Sequence, residues 1–112
     1  MSKKKGGFPE IITLCGSTRF KEQFIDANKR LTLDGKIVIS VGLFGHADGE
    51  FGRSITPEKK DILDWLHKKK IDLSDSIMVI DVNDYIGEST RSEIGYASER
   101  GKRVYYYSKY FR

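Results

Sequence analysis

Four short apolar runs punctuate the chain, each the length of a strand. Ile11-Ile12-Thr13-Leu14-Cys15 stops at Gly16, and Ile37 to Val41 stops at Gly42. Ser76 to Val82 runs apolar on both faces until Asp81, and Val104-Tyr105-Tyr106-Tyr107 closes the series. Unbroken apolar runs of this kind suit a parallel sheet covered on both faces. Between them the period changes. Phe20, Phe24, Ala27 and Leu31 recur at three- and four-residue steps, which predicts a helix closing before Gly35. Thr56-Pro57 opens a second helix, with a capping hydroxyl and then proline at the first helical position, where its missing N–H does no harm. Ile62, Leu63 and Leu66, with Ile71 or Trp65, are its expected buried stripe. A third helix is expected from Glu93 to Arg100, ending before Gly101. Residues 42–55 hold Gly42, Gly45, Gly49 and Gly52 without a helical period, and are expected to form a loop.

Strands alternating with helices in this order predict an α/β fold. The expected form is a small doubly wound, flavodoxin- or Rossmann-like parallel sheet of about four to five strands with helices on both faces. At 112 residues the chain fits one domain, residues 10–112, behind a flexible basic tail over residues 1–9. A hydrophobic share of 38% supplies one core and excludes a disordered chain. Three helices over such a sheet leave thin cover. Tyr105, Tyr106, Tyr107, Tyr110 and Phe111 are therefore expected to be exposed and to favour a subunit contact, making the protein a homodimer.

The formal charge of +4 changes this picture little. Lys3, Lys4 and Lys5 fall in the tail, and Lys68-Lys69-Lys70 sits at a helix end, where cations complement the helix dipole. The basic residues are not interleaved with stacking aromatics, so a nucleic-acid partner is not expected. Cys15 is the only cysteine, which excludes an intramolecular disulfide. With no signal peptide and no long apolar segment, the expectation is a soluble, cytoplasmic protein with no membrane partner. The two histidines and one cysteine lie far apart and show no zinc-site spacing, so neither metal nor cofactor is expected.

Three polar loops follow strands, on the edge where open α/β sheets bind ligands. The first is Gly16-Ser17-Thr18-Arg19. Its glycine permits close backbone approach, Ser17 or Thr18 is suited to cap the helix, and Arg19 carries a fork-shaped cation for phosphate or carboxylate. The second is Gly87 to Glu93, with hydroxyls at Ser89, Thr90 and Ser92 and a cation at Arg91. Glu93 is read in the first turn of its helix, where the dipole favours an ionised carboxylate by roughly 0.3–1 kcal/mol. The third, Val41 to His46, offers His46 to orient a base or act as an acid, or simply as an exposed loop residue. Asp81 is read either as a turn-forming carboxylate or as a group that holds a ribose hydroxyl or orients Glu93.

Gly16-Ser17-x-Arg19 after the first strand, then Glu93-Ile94-Gly95-Tyr96-Ala97 with Gly101-Lys102 downstream, resembles the nucleoside 2-deoxyribosyltransferase superfamily. That superfamily includes the 2'-deoxynucleoside 5'-phosphate N-hydrolases, and the resemblance runs from Ile12 to Tyr107. It implies that Glu93 is the nucleophile on the sugar's anomeric carbon. It further implies that Gly16, Ser17 and Arg19 contact the sugar-phosphate or base, and that Ser89 corresponds to a phosphate-binding serine. The family's general-acid aspartate is replaced here by His67, with Asp64 and Asp72 the nearest carboxylates. The expectation is cleavage of an N-glycosidic bond, or deoxyribosyl transfer, on a nucleoside or nucleoside 5'-monophosphate. The alternatives are a nucleotide-binding or sensor module without turnover, and an NAD-type N-glycohydrolase.

Overall fold

The computed structural model describes residues 7–45, 47–49 and 55–111. The basic residues of the expected tail, and His46, lie outside the described residues. Elements follow in the order β1 (Ile11–Cys15), α1 (Lys21–Leu33), β2 (Ile37–Ile39), α2 (Pro57–Asp72), β3 (Ser76–Val79), a 3-10 turn (Val82–Asp84), α3 (Glu88–Glu99), β4 (Arg103–Tyr106) and α4 (Tyr107–Tyr110). The four strands form one sheet in the order β2-β1-β3-β4, parallel throughout. The expected α/β fold is therefore present, with four strands and both faces covered.

Alternation along the central strands sorts the core into two halves. Ile12 and Leu14 of β1, with Met78 of β3 and Ile80 just beyond it, pack against Phe24, Ala27 and Leu31 of α1. Cys15, Ile77 and Val79 point the other way, towards Ile71 of α2 and Ala97 of α3. Side chains on a strand alternate between faces, so both sides of β1 and β3 must be apolar for each helix layer to seal.

The first half is closed by the C-terminal aromatics. Tyr107 donates its hydroxyl to Asp26 at 2.6 Å and meets Phe111 edge-on at 5.6 Å, while Tyr105 and Phe111 pack onto the α1 core. Tyr106 packs into the opposite core. These residues cover their own chain, which corrects the expectation that they stand exposed for a partner. Tyr110 alone of the five is exposed.

Helix α2 is rotated from its expected register. His67 and Ile71 are its buried residues, whereas Ile62, Trp65 and Leu66 are 55%, 59% and 42% exposed. Its inward side instead carries Lys60, Leu63, Asp64, His67 and Lys70 towards a cavity. Thr56 caps it as expected, accepting from the Lys59 N–H at 3.2 Å. Among the described residues no helix is long and apolar enough to cross a membrane.

Candidate active site

In the order β2-β1-β3-β4 the chain leaves β1 towards one edge and β3 towards the other. The crevice between their C-terminal ends is the switch point at which such sheets hold ligands. A cavity of about 300 Å³ opens there. Its walls come from the loop after β1, the residues after β2, the inner side of α2, and the start of α3.

Gly16 makes the first wall possible. Its φ is +155°, and a Cβ there would lie 3.0 Å from the Ile80 side chain and 3.1 Å from the Ile80 carbonyl. Only glycine lets the chain turn this close to β3. Ser17 then shapes the turn rather than the helix. Its hydroxyl accepts from the Arg19 N–H at 3.3 Å, and its carbonyl accepts from the Phe20 N–H at 3.1 Å. Helix α1 starts at Lys21 with Phe20 in the capping position and no side-chain cap, so neither Ser17 nor Thr18 caps it. Both line the cavity. Arg19 also lines it, with its guanidinium over the Tyr85 ring at 4.8 Å; among the described residues it pairs with no carboxylate.

The second wall begins at Gly87, which occupies the capping position of α3. Because the helix starts at Glu88, Glu93 lies in its second turn, not its first. Ser89, Thr90 and Glu93 face the cavity. Arg91 is exposed and outside the cavity wall, so the fold does not bring it to the site.

At the cavity floor Glu93 is 9% exposed. Burial pushes its carboxyl up to about 7, and Asp64 adds to this; the Cys15 hydrogen bond, Lys68 and Lys60 pull the other way. Removal from water outweighs the helix dipole, and the carboxyl of the free protein is about half ionised at neutral pH. His67 approaches it with Nε2 3.9 Å from Glu93 Oε1. Burial, aided by the charge of Lys70, lowers the imidazole to about 4, so the ring is neutral at pH 7. Its Nε2 is buried without a hydrogen-bond partner among the described residues. Cys15 lies fully buried beneath the floor: burial, then the nearby Glu93 carboxylate, pushes its thiol well up. Cys15, His67 and Glu93 place their donor atoms within 4.8 Å of one another, although no spacing in the sequence marks them as a set.

Asp81 lies elsewhere. Its carboxylate is buried and accepts both the Ser108 N–H at 2.8 Å and the Ser108 hydroxyl at 2.6 Å, fastening α4 to the end of β3. It is not part of the cavity wall, which corrects its placement among the catalytic residues. Asp72 is likewise engaged, accepting from Tyr96 at 2.9 Å and pairing with Lys69 at 3.2 Å. Of the carboxylates near His67 in sequence, Asp64 is the one that lines the cavity.

Lys60, Lys70 and Tyr85 also line the cavity and were not singled out from the sequence. The signal was present: Lys60, Asp64, His67 and Lys70 recur at helical spacing. Lys70 is held inward by donating to the Ser40 carbonyl at 2.8 Å, and Lys60 lies 3.8 Å from Asp64. Val41, Leu43, Leu63 and Leu66 supply apolar wall. No protein-family model matches this chain, and no curated protein matches it in sequence.

Proposed function

We propose that the protein cleaves the N-glycosidic bond of a nucleoside 5'-monophosphate, or transfers its sugar, with Glu93 as the nucleophile. The observation that carries this reading is one buried carboxylate on the floor of a cavity at the switch point, with cation and hydroxyls on the rim and apolar side chains in the wall. Arg19, Ser17 and Ser89 suit the phosphate, and the first turn of α3 offers N–H groups to the same anion. Val41, Leu43, Leu63 and Leu66 suit the flat faces of a base.

In this mechanism a Glu93 oxygen attacks the anomeric carbon as the carbon–nitrogen bond breaks, through a transition state of oxocarbenium character. The leaving base takes its proton from water at the open mouth of the cavity, beside Asp64, the carboxylate that α2 brings there. His67 is neutral and too weakly basic to supply that proton at pH 7. Water, activated by the Asp64 carboxylate, then opens the glycosyl ester, frees the Glu93 carboxylate and passes its proton through Asp64 to solvent. A second base in place of that water gives transfer.

The reading places the protein in the cytoplasm, in nucleotide metabolism, as a homodimer. Support for the dimer moves from the C-terminal aromatics to Ile62 and Trp65, exposed apolar residues of α2 beside the cavity. Chromatography of protein incubated with nucleosides, 5'-monophosphates and NAD tests the activity. Free base from monophosphates, absent with Glu93→Ala, is the expected outcome. Base from NAD alone would assign a dinucleotide glycohydrolase. Thermal stabilisation by a monophosphate without release of base would make this a binding module.

A further inference from the structure

Outside any glycosidase chemistry, the cavity floor carries a second possibility. Cys15 ends β1, His67 projects from α2 and Glu93 from α3, so three separate elements deliver a thiol, an imidazole and a carboxylate to one point. All three are buried: Cys15 at 0%, His67 at 8% and Glu93 at 9% exposed. His67 Nε2, 3.9 Å from Glu93 Oε1, has no hydrogen-bond partner among the described residues. Buried ring nitrogens in folded proteins are nearly always paired, and an orphan of this kind leaves an acceptor open to an ion or a water.

We propose that Cys15, His67 and Glu93 form a zinc-binding site whose fourth position faces the cavity. The donor set decides the metal. Thiolate and imidazole select zinc over calcium and magnesium, which take oxygen ligands. Bonds of about 2.0–2.3 Å in a tetrahedral centre hold neighbouring donors roughly 3.3–3.6 Å apart. The three donors lie within 4.8 Å of one another, so binding an ion draws them together by about 1 Å. On binding, the Cys15 thiol loses its proton to solvent and a sulfur–zinc bond forms. Thiolate and carboxylate then balance the ion's two charges, so Lys60 and Lys70 face a neutral centre. Three protein ligands with an open fourth position is the arrangement of a zinc that meets small molecules, not of a closed structural site.

The site rests on geometry and does not depend on the glycosidase reading. Where that reading holds, zinc occupies the oxygen that must attack the sugar, and loading the protein with zinc suppresses base release until a chelator removes it.

The test uses the full chain, stripped with a chelator and titrated with zinc ion alone against a chromophoric competitor, then with cobalt(II). One equivalent of zinc is expected, weakened at least about tenfold in both Cys15→Ser and His67→Gln. Cobalt is expected to give a thiolate-to-metal charge-transfer band. Cys15 is the only cysteine, so that band has one source and is diagnostic even if a variant fails to fold. A wild-type protein without the band, or zinc binding equally tight in both folded variants, would overturn the site. Neither result touches the base-release assay, so the two readings fail separately.

Discussion

The two faces of the sheet are built to different ends. On the α1 face, Phe24, Ala27 and Leu31 meet Ile12, Leu14, Met78 and Ile80, and the C-terminal aromatics finish the cover. On the α2–α3 face Ile71, Ile77, Val79 and Ala97 pack together, but the end beside the open cavity buries Cys15, His67 and Glu93. Filling that end with aliphatic side chains would improve packing and remove a desolvated carboxyl. The chain forgoes this gain on one face only, and that face holds the candidate site. One layer supplies stability; the other gives some up to hold reactive groups out of water.

The comparison breaks most readily on the sealed face. Phe24 is 1% exposed and meets Phe44 edge-on at 5.5 Å. Phe24→Ala is expected to cost about 3–5 kcal/mol in denaturant unfolding. On the open face the sign reverses. Glu93→Gln removes a carboxyl raised from 4.5 to about 7, and at pH 8 in chelator should stabilise the protein by on the order of 2–3 kcal/mol.

The pH dependence sharpens the same contrast. The folded protein holds the Glu93 proton more tightly than the unfolded chain, so this group's contribution falls as pH rises from 4.5 to about 7. His67, lowered from 6.5 to about 4, acts oppositely: its contribution rises with pH through that interval. The two nearly cancel between about 4.5 and 6.5 in the wild type. In Glu93→Gln only the His67 slope remains, and thermal melts should show the midpoint climbing with pH across that window. A variant as flat as the wild type would contradict the assignment.

Smaller effects are expected at the edges of the two layers. Ser108→Ala removes the hydroxyl that donates to the buried Asp81 at 2.6 Å and should cost about 1–3 kcal/mol, without changing ligand affinity. Arg19→Ala should weaken a nucleoside 5'-monophosphate by about tenfold in calorimetry while leaving the bare nucleoside nearly unchanged. Equal losses for both ligands would remove Arg19 from phosphate binding.

The sheet was legible because β1 and β3 are apolar at all their buried positions except Thr13 and Ser76, and the loops after them are marked by Gly16 and Gly87. The face of α2 was not. Ile62, Trp65 and Leu66 form a convincing apolar stripe, yet Ile62 and Trp65 point outward and Leu66 edges the cavity, because the helix turns Lys60, Asp64, His67 and Lys70 towards it. A periodicity argument takes the polar side for the solvent side, and a polar cavity defeats it. The start of α3 at Glu88 was missed for a related reason: Gly87 occupies the cap without a side-chain hydrogen bond, leaving no capping residue to read. Asp81 lay at the end of a strand next to the site, and only its two bonds to Ser108 reveal that it serves the C-terminus. The Cys15–His67–Glu93 set is assembled by the topology alone, since its members come from three distant segments.

The central claim is that the buried carboxylate of the open face attacks a sugar. The most direct measurement is release of free base from nucleoside 5'-monophosphates, followed chromatographically for the chelator-treated wild type and for Glu93→Ala. The account predicts base from the wild type, none above background from the variant, and monophosphate binding retained by both. Base released equally by the two proteins would contradict it.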